Sequence, residues 1–215
     1  MGYLSEDKGR LIFVFFCVIA GTIANLAGSY MLRPIINGLT DYCHPCQVLA
    51  DLMTIREYKG SLKGLKLCFV GDGNNMANSL IVGGIKTGME VSIACPDTYR
   101  PDAQIVEWAQ KNGKLTVTSD LKAAAANADV LYTDVWASMG QESEKAEREK
   151  VFRGYCIDSQ LMQAAKQDAM VLHCLPAHRG EEITDEVFES HAEEIFDEAE
   201  NRLHAQKAVL VKLMK

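Results

Sequence analysis

From residue 65 onward the chain repeats one unit: a short apolar run, a break at glycine, proline or asparagine, then a stretch with helical spacing. The segments 65–71, 90–96, 115–119, 129–136 and 169–174 read as buried strands. Between them 74–88, 101–113, 120–128 and 141–152 read as helices; one more ends near Gly60, and one over 200–214 closes the chain. Parallel strands need a crossover long enough for a helix, so this alternation predicts βαβ units. Such units give a parallel sheet with helices on both faces. The predicted fold class is therefore α/β, a doubly wound parallel sheet with helices on both faces. Pro101 is placed at the first position of its helix, and Ser119 or Asp120 caps the next. Ligands of such sheets bind beyond the carboxyl ends of the strands. Chemistry is thus expected just after Val70, Ala94, Val117, Tyr132 and Leu172.

Composition narrows the classes. In 215 residues, 48% are hydrophobic and 24% charged, enough for a core. The net charge of −7 argues against a nucleic-acid surface and against a polybasic membrane surface. Seven cysteines, mostly inside apolar runs and with no repeated spacing, fit free thiols in a reducing compartment. Cys43 and Cys46 form a CxxC. A zinc site would need a second pair downstream, and a redox site a preceding strand.

Residues 11–32 carry no charge and are bracketed by Arg10 and Arg33. By length they can cross a bilayer as a helix. A signal peptide, a buried helix and a segment foreign to the rest of the chain are the other readings; Glu6, Asp7 and the lack of an A-x-A site weaken the first of these. Any membrane association would run through this stretch alone.

Five motifs fall at the predicted strand mouths or helix starts. "VGDGNN" (70–75) looks like a dinucleotide loop, but Met76 stands where its third glycine belongs. Cys95 and Pro96 end the second strand where a ribose-binding acid is expected, so a dinucleotide site is disfavoured. What remains is a helix N-terminus aimed outward, attractive to a carboxylate or phosphate, with Asn74 and Asn75 as amide donors. Asp134, in "YTDVWASMGQE" (132–142), can grip an amine or merely cap a turn. Ser138, Met139 and Gly140 form a small loop of the kind that contacts ligands. His44 and Gln47, in "HPCQ", begin a helix and could donate to one bound oxygen, or form a capping pair. Cys174 in "HCLP" is either a buried structural thiol or a chemical one, its pKa lowered by His173, His178 and Arg179. Arg202 in "ENR", at the expected start of the last helix, is a surface charge or an anion clamp.

Together "HPCQ…LAD", "GDGNNMANS", "DVWASMGQE", "HCLPAHRGEE" and "AENRLHAQKA" strongly resemble ornithine carbamoyltransferases, continuously from about residue 35 to 215. The resemblance implies a Rossmann-like second domain, 34–215, that binds ornithine, with 1–33 an apolar segment foreign to the family. It implies attack of the ornithine δ-amine on carbamoyl phosphate, giving citrulline and phosphate in arginine metabolism, with no metal or organic cofactor. By the same resemblance Asp134 and Cys174 face the δ-amine and help it lose its proton. Asn75, Ser138 and Met139 hold the α-amino and α-carboxylate groups. His44, Gln47 and Arg202 surround carbamoyl phosphate, His44 and Arg202 polarising its carbonyl oxygen, and the backbone at Cys174 and Leu175 completes that pocket. A cytoplasmic homotrimer is implied too. The family's S-T-R-T-R phosphate loop has no counterpart in this sequence, so its carbamoyl-phosphate domain is expected to be missing; the alternative function is a fragment that only binds ornithine.

Overall fold

The computed structural model describes residues 42–137 and 144–214. The apolar stretch 11–32 and the Ser138-Met139-Gly140 loop lie outside the described residues. The described elements run α1 (Pro45–Lys59), β1 (Lys66–Val70), α2 (Asn75–Lys86), β2 (Glu90–Ala94), α3 (Ala103–Asn112), β3 (Leu115–Thr118), α4 (Leu121–Ala125), β4 (Val130–Thr133), α5 (Lys145–Phe152), α6 (Ser159–Met162), β5 (Met170–His173), α7 (Asp185–Ser190) and α8 (Ala192–Leu213). Among them no helix is long and apolar enough to cross a membrane.

The five strands form one sheet in the order β3-β2-β1-β4-β5. Every pairing is parallel, with Phe69 beside Ile93 on one side and Tyr132 on the other. This is the expected α/β class. The winding direction reverses between β1 and β4, which leaves a crevice beyond their carboxyl ends.

Alternate residues of each strand feed two apolar layers. Leu67, Phe69, Ile93, Tyr132 and Leu172 face Val48 and Ile55 of α1 and Leu80 and Ile81 of α2. Cys68, Val70, Leu131 and Val171 face Ala124, Leu161, Val187 and Phe188. Burying a side chain the size of Phe69 contributes about 1.5–3 kcal/mol. Its ring also stacks on Tyr132, centroids 6.0 Å apart.

Two boundaries differ from expectation, each for a local reason. Asp102 caps α3 by accepting from the backbone N–H groups of Gln104 (2.9 Å) and Ile105 (3.2 Å), so Pro101 stands before the helix, not inside it. Of the two expected cap candidates for α4, Asp120 takes the role. The last helix starts at Ala192, eight residues before the expected 200, so Arg202 lies within it and not at its N-terminus.

The reason for that early start is a sheet edge. β5 is an outer strand, so alternate N–H groups point away from the sheet. Glu194 accepts from Val171 N at 2.8 Å and Glu198 from His173 N at 2.9 Å. Four residues of helix advance about 6 Å and two residues of strand about 6.6 Å, so the two spacings match. The acidic run 193–200 is in part the cover of an open strand edge.

The turn after β1 depends on Gly73. Its N–H donates to Tyr99 O at 2.9 Å, and a Cβ there would lie 2.2 Å from Pro101 N and 2.3 Å from Arg100 C. The close approach this glycine permits is to the chain's own backbone, not to a pyrophosphate. Gly73→Ala should therefore lower stability by about 1–3 kcal/mol in urea unfolding; an unchanged midpoint would contradict the packing described.

Candidate active site

Asp134 follows β4 and Cys174 follows β5, neighbouring strands, so their side chains meet beyond the same sheet edge. The Cys174 thiol donates to Asp134 Oδ1 at 3.0 Å. Val135 N donates to the same oxygen at 2.8 Å, and Asn74 Nδ2 to Oδ2 at 3.0 Å. A carboxylate offers about four acceptor directions. Among the described residues three are used, and the direction left on Oδ2 suits an amine. Burial first, then the neighbouring Asp134 charge, push the Cys174 thiol well above its ordinary range.

The cations expected to lower that pKa are engaged elsewhere. Arg179 pairs with Glu189 and Asp185 and lies over the Phe188 ring. His178 faces Glu181 at 3.6 Å. His173, 1% exposed, accepts from Leu175 N on Nδ1 at 2.9 Å, so its proton sits on Nε2 and is donated to Glu182 Oε1 at 3.1 Å. Glu182 also accepts from His178 N. These contacts clamp the turn in which Leu175 holds φ +50 and the Leu175-Pro176 bond is cis. A non-glycine residue at positive φ costs on the order of 1 kcal/mol and needs such support. "HCLP" is thus a thiol on a braced turn, not a thiolate among cations.

The second group is built on α1 and α8, which pack together. His44 is the N-cap of α1, but its side chain makes no capping bond. Its backbone N–H donates to Ser79 Oγ at 2.8 Å. Burial, then the Arg202 charge, lower its pKa from 6.5 to about 4, so at neutral pH it is a neutral donor. Arg202 Nη1 donates to Gln47 Oε1. Gln47 Nε2 donates to Asp51 Oδ1 at 2.8 Å and Glu198 Oε1 at 2.9 Å. Both amide hydrogens are occupied, so Gln47 does not donate to the same oxygen as His44, contrary to expectation.

Asn75 is the first residue of α2 and half-buried. Its neighbour Asn74 does the local work: Oδ1 caps Met76 N and Ala77 N at 2.9 and 3.2 Å while its amide orients Asp134. Two of the N–H groups at this helix start are therefore already satisfied. Leu175 lies beside Cys174 on the braced turn, and Ser138 and Met139 fall outside the described residues. Of the CxxC pair, Cys46 has its thiol pushed up by burial, the reverse of what a redox pair needs.

Asp51, Tyr132, Glu182 and Glu198 support these groups and escaped the sequence reading. Arg148 is another such residue, 6% exposed. It donates to Asp72 Oδ2 (2.6 Å) and Trp136 O (3.0 Å) and lies over the Tyr99 ring. It fixes α5 against the turn after β1. An acid inside an apolar helix four residues from Gln47 was a readable signal for Asp51; no comparable signal marks Arg148.

Two outcomes follow from the protonation states. Iodoacetamide at pH 8 should leave Cys174 unmodified in the folded chain and modify it once unfolded; rapid alkylation of the folded chain would contradict the raised pKa. For His44 the unfolded chain binds the extra proton between pH 6.5 and 4. Its contribution is therefore full above 6.5 and lost as pH falls toward 4. His44→Gln should lose less stability than wild type between pH 7 and 5 in urea titrations; equal losses would contradict this.

Comparison with known proteins supplies the context. The family description "Aspartate/ornithine carbamoyltransferase, Asp/Orn binding domain" matches residues 63–213. The companion description, "carbamoyl-P binding domain", matches residues 17–57 and so begins inside the apolar stretch. An ornithine carbamoyltransferase of Geobacter sulfurreducens is 56% identical over 188 residues, 86% of this chain and 62% of that protein. One from Pyrococcus abyssi is 53% identical over 191 residues, again 86% of this chain and 60% of the relative. Among solved structures, the Pyrococcus furiosus ornithine carbamoyltransferase aligns with TM-score 0.75 and 53% identity over 80% of this chain and 57% of that one. The anabolic enzyme of Campylobacter jejuni gives TM-score 0.79 and 44% identity over 82% and 60%. The chain thus spans under two thirds of the length of these relatives. It is a member of the aspartate/ornithine carbamoyltransferase family.

Proposed function

We propose that the chain serves carbamoyl transfer from carbamoyl phosphate to the δ-amine of ornithine, giving citrulline and phosphate in arginine biosynthesis. The observation that carries this reading is the thiol–carboxylate pair, Cys174 and Asp134 at 3.0 Å, set at the same sheet edge as the His44–Gln47–Arg202 group. An amine nucleophile needs an acid to grip it and a route for its proton. A carbonyl with a phosphate leaving group needs donors aimed at its oxygen.

In this reading the open direction on Asp134 Oδ2 takes the δ-ammonium and Cys174 keeps the carboxylate oriented. The δ-ammonium gives one proton to Asp134, the neutral nitrogen bonds the carbonyl carbon, and the tetrahedral species expels phosphate as the C–O bond breaks, the second N–H proton leaving with the phosphate. Neutral His44 and charged Arg202 donate to the developing oxyanion. Gln47 offers its oxygen to the carbamoyl nitrogen, and the backbone at Cys174 and Leu175 closes that pocket. Asn75, Ser138 and Met139 hold the α-amino and α-carboxylate groups. A cytoplasmic homotrimer is the assembly we assign to it.

The full chain, incubated with ornithine and carbamoyl phosphate, should release citrulline. Cys174→Ala should lower kcat on the order of 100-fold with little change in melting temperature. No citrulline from the wild-type chain would refute the activity, and undiminished turnover by Cys174→Ala would refute the role given to the thiol.

A further inference from the structure

Gln47, 1% exposed, has its amide hydrogens on two carboxyl groups and its oxygen on a guanidinium. Charge dictates this orientation. Turned over, the amide would set its oxygen against two carboxyl oxygens and its NH2 against a cation. The group that enforces it is the pair Asp51 and Glu198, both 0% exposed.

Glu198 is held from three sides. Oε1 accepts from Gln47 Nε2 and from Tyr132 Oη, each at 2.9 Å, and Oε2 accepts from His173 N at 2.9 Å. Two carboxyls this close and this deep do not both ionise. Burial, then the charge of Glu198, push Asp51 well above the usual carboxylate range, so Asp51 keeps the proton. Burial raises Glu198 too, but hydrogen bonds from protonated Asp51 first, then from the Tyr132 hydroxyl and the His173 N–H, favour its charged form.

We propose that Asp51 and Glu198 are positioning residues for the anion pocket: they fix the Gln47 amide with its oxygen toward Arg202, and so aim the guanidinium beside His44. The identity of the anion rests on the carbamoyl-transfer reading; the positioning does not. Glu198 has to remain an acceptor for three donors, whereas Asp51 acts as a neutral acceptor. Asparagine can therefore replace Asp51, but glutamine cannot replace Glu198. A glutamine there presents an NH2 to at least one N–H or O–H donor and permits the Gln47 amide to turn over.

The test uses the full chain and has two arms. Calorimetry with carbamoyl phosphate, and with inorganic phosphate, should show Glu198→Gln binding on the order of 10- to 100-fold more weakly. Asp51→Asn should stay within about twofold of wild type, a small fraction of one tenfold step, and ornithine affinity should be unchanged in both. Equal losses in the two variants, or wild-type affinity in a folded Glu198→Gln, would overturn the proposal. In the second arm, NMR follows the Gln47 side-chain amide, assigned by its loss in Gln47→Leu. In the wild-type chain its protons should be protected from solvent exchange; exchange as fast as that of surface glutamines would overturn the proposal even if a variant fails to fold. A wild-type chain that makes no citrulline but protects this amide would refute the activity and leave the positioning standing.

Discussion

The Glu198 carboxylate accepts from the end of an edge strand, from a tyrosine inside the sheet and from an amide on α1. A charge at 0% exposure is tolerated only with its lone pairs engaged. Satisfying it therefore fixes the positions of three elements at once. β5 is held to α8, α8 to α1, and Tyr132 spans the sheet between them. Cys174 comes directly after His173, whose N–H Glu198 binds, and Arg202 lies one turn further along the same helix. The thiol and the guanidinium thus take their positions from one buried group.

Protonation divides the site in a way that residue types alone do not show. His44 is neutral because burial and Arg202 both disfavour a second cation. Cys174 is a thiol because burial and Asp134 both disfavour a second anion. Each is thereby a hydrogen-bond donor at neutral pH, His44 beside Arg202 and Cys174 on the Asp134 carboxylate. His44 gains its proton, and Cys174 loses its own, only at pH values far from neutrality.

Where the strands run and which turns lie at their carboxyl ends was legible, because period and punctuation are local. The runs around Phe69, Ile93, Tyr132 and Leu172 are apolar and end at glycine, aspartate or cysteine. Asp134 and Cys174 are polar residues at the ends of such runs, while His44 and Arg202 come from the packed helices α1 and α8. What was not legible depends on partners distant in sequence. Nothing local in the acidic run 193–200 marks Glu198; the open edge of β5 explains it. Arg148 read as one charge on a charged helix until Asp72, 76 residues away, was seen to pair with it. Gln47 looked like a donor because nothing local shows that both amide hydrogens end on carboxyls. Asn74 was noted as a donor, but its double task, capping α2 and orienting Asp134, needs β1 and β4 side by side in the sheet.

The most direct test of the central role of Glu198 is the hydrogen-exchange rate of the His173 backbone amide in the folded wild-type chain. This amide sits on an outer strand, yet its N–H ends on a buried carboxylate at 2.9 Å. It should exchange as slowly as the amides of the central strand β1. Exchange at the rate of an uncovered strand edge would contradict the arrangement on which the site is built.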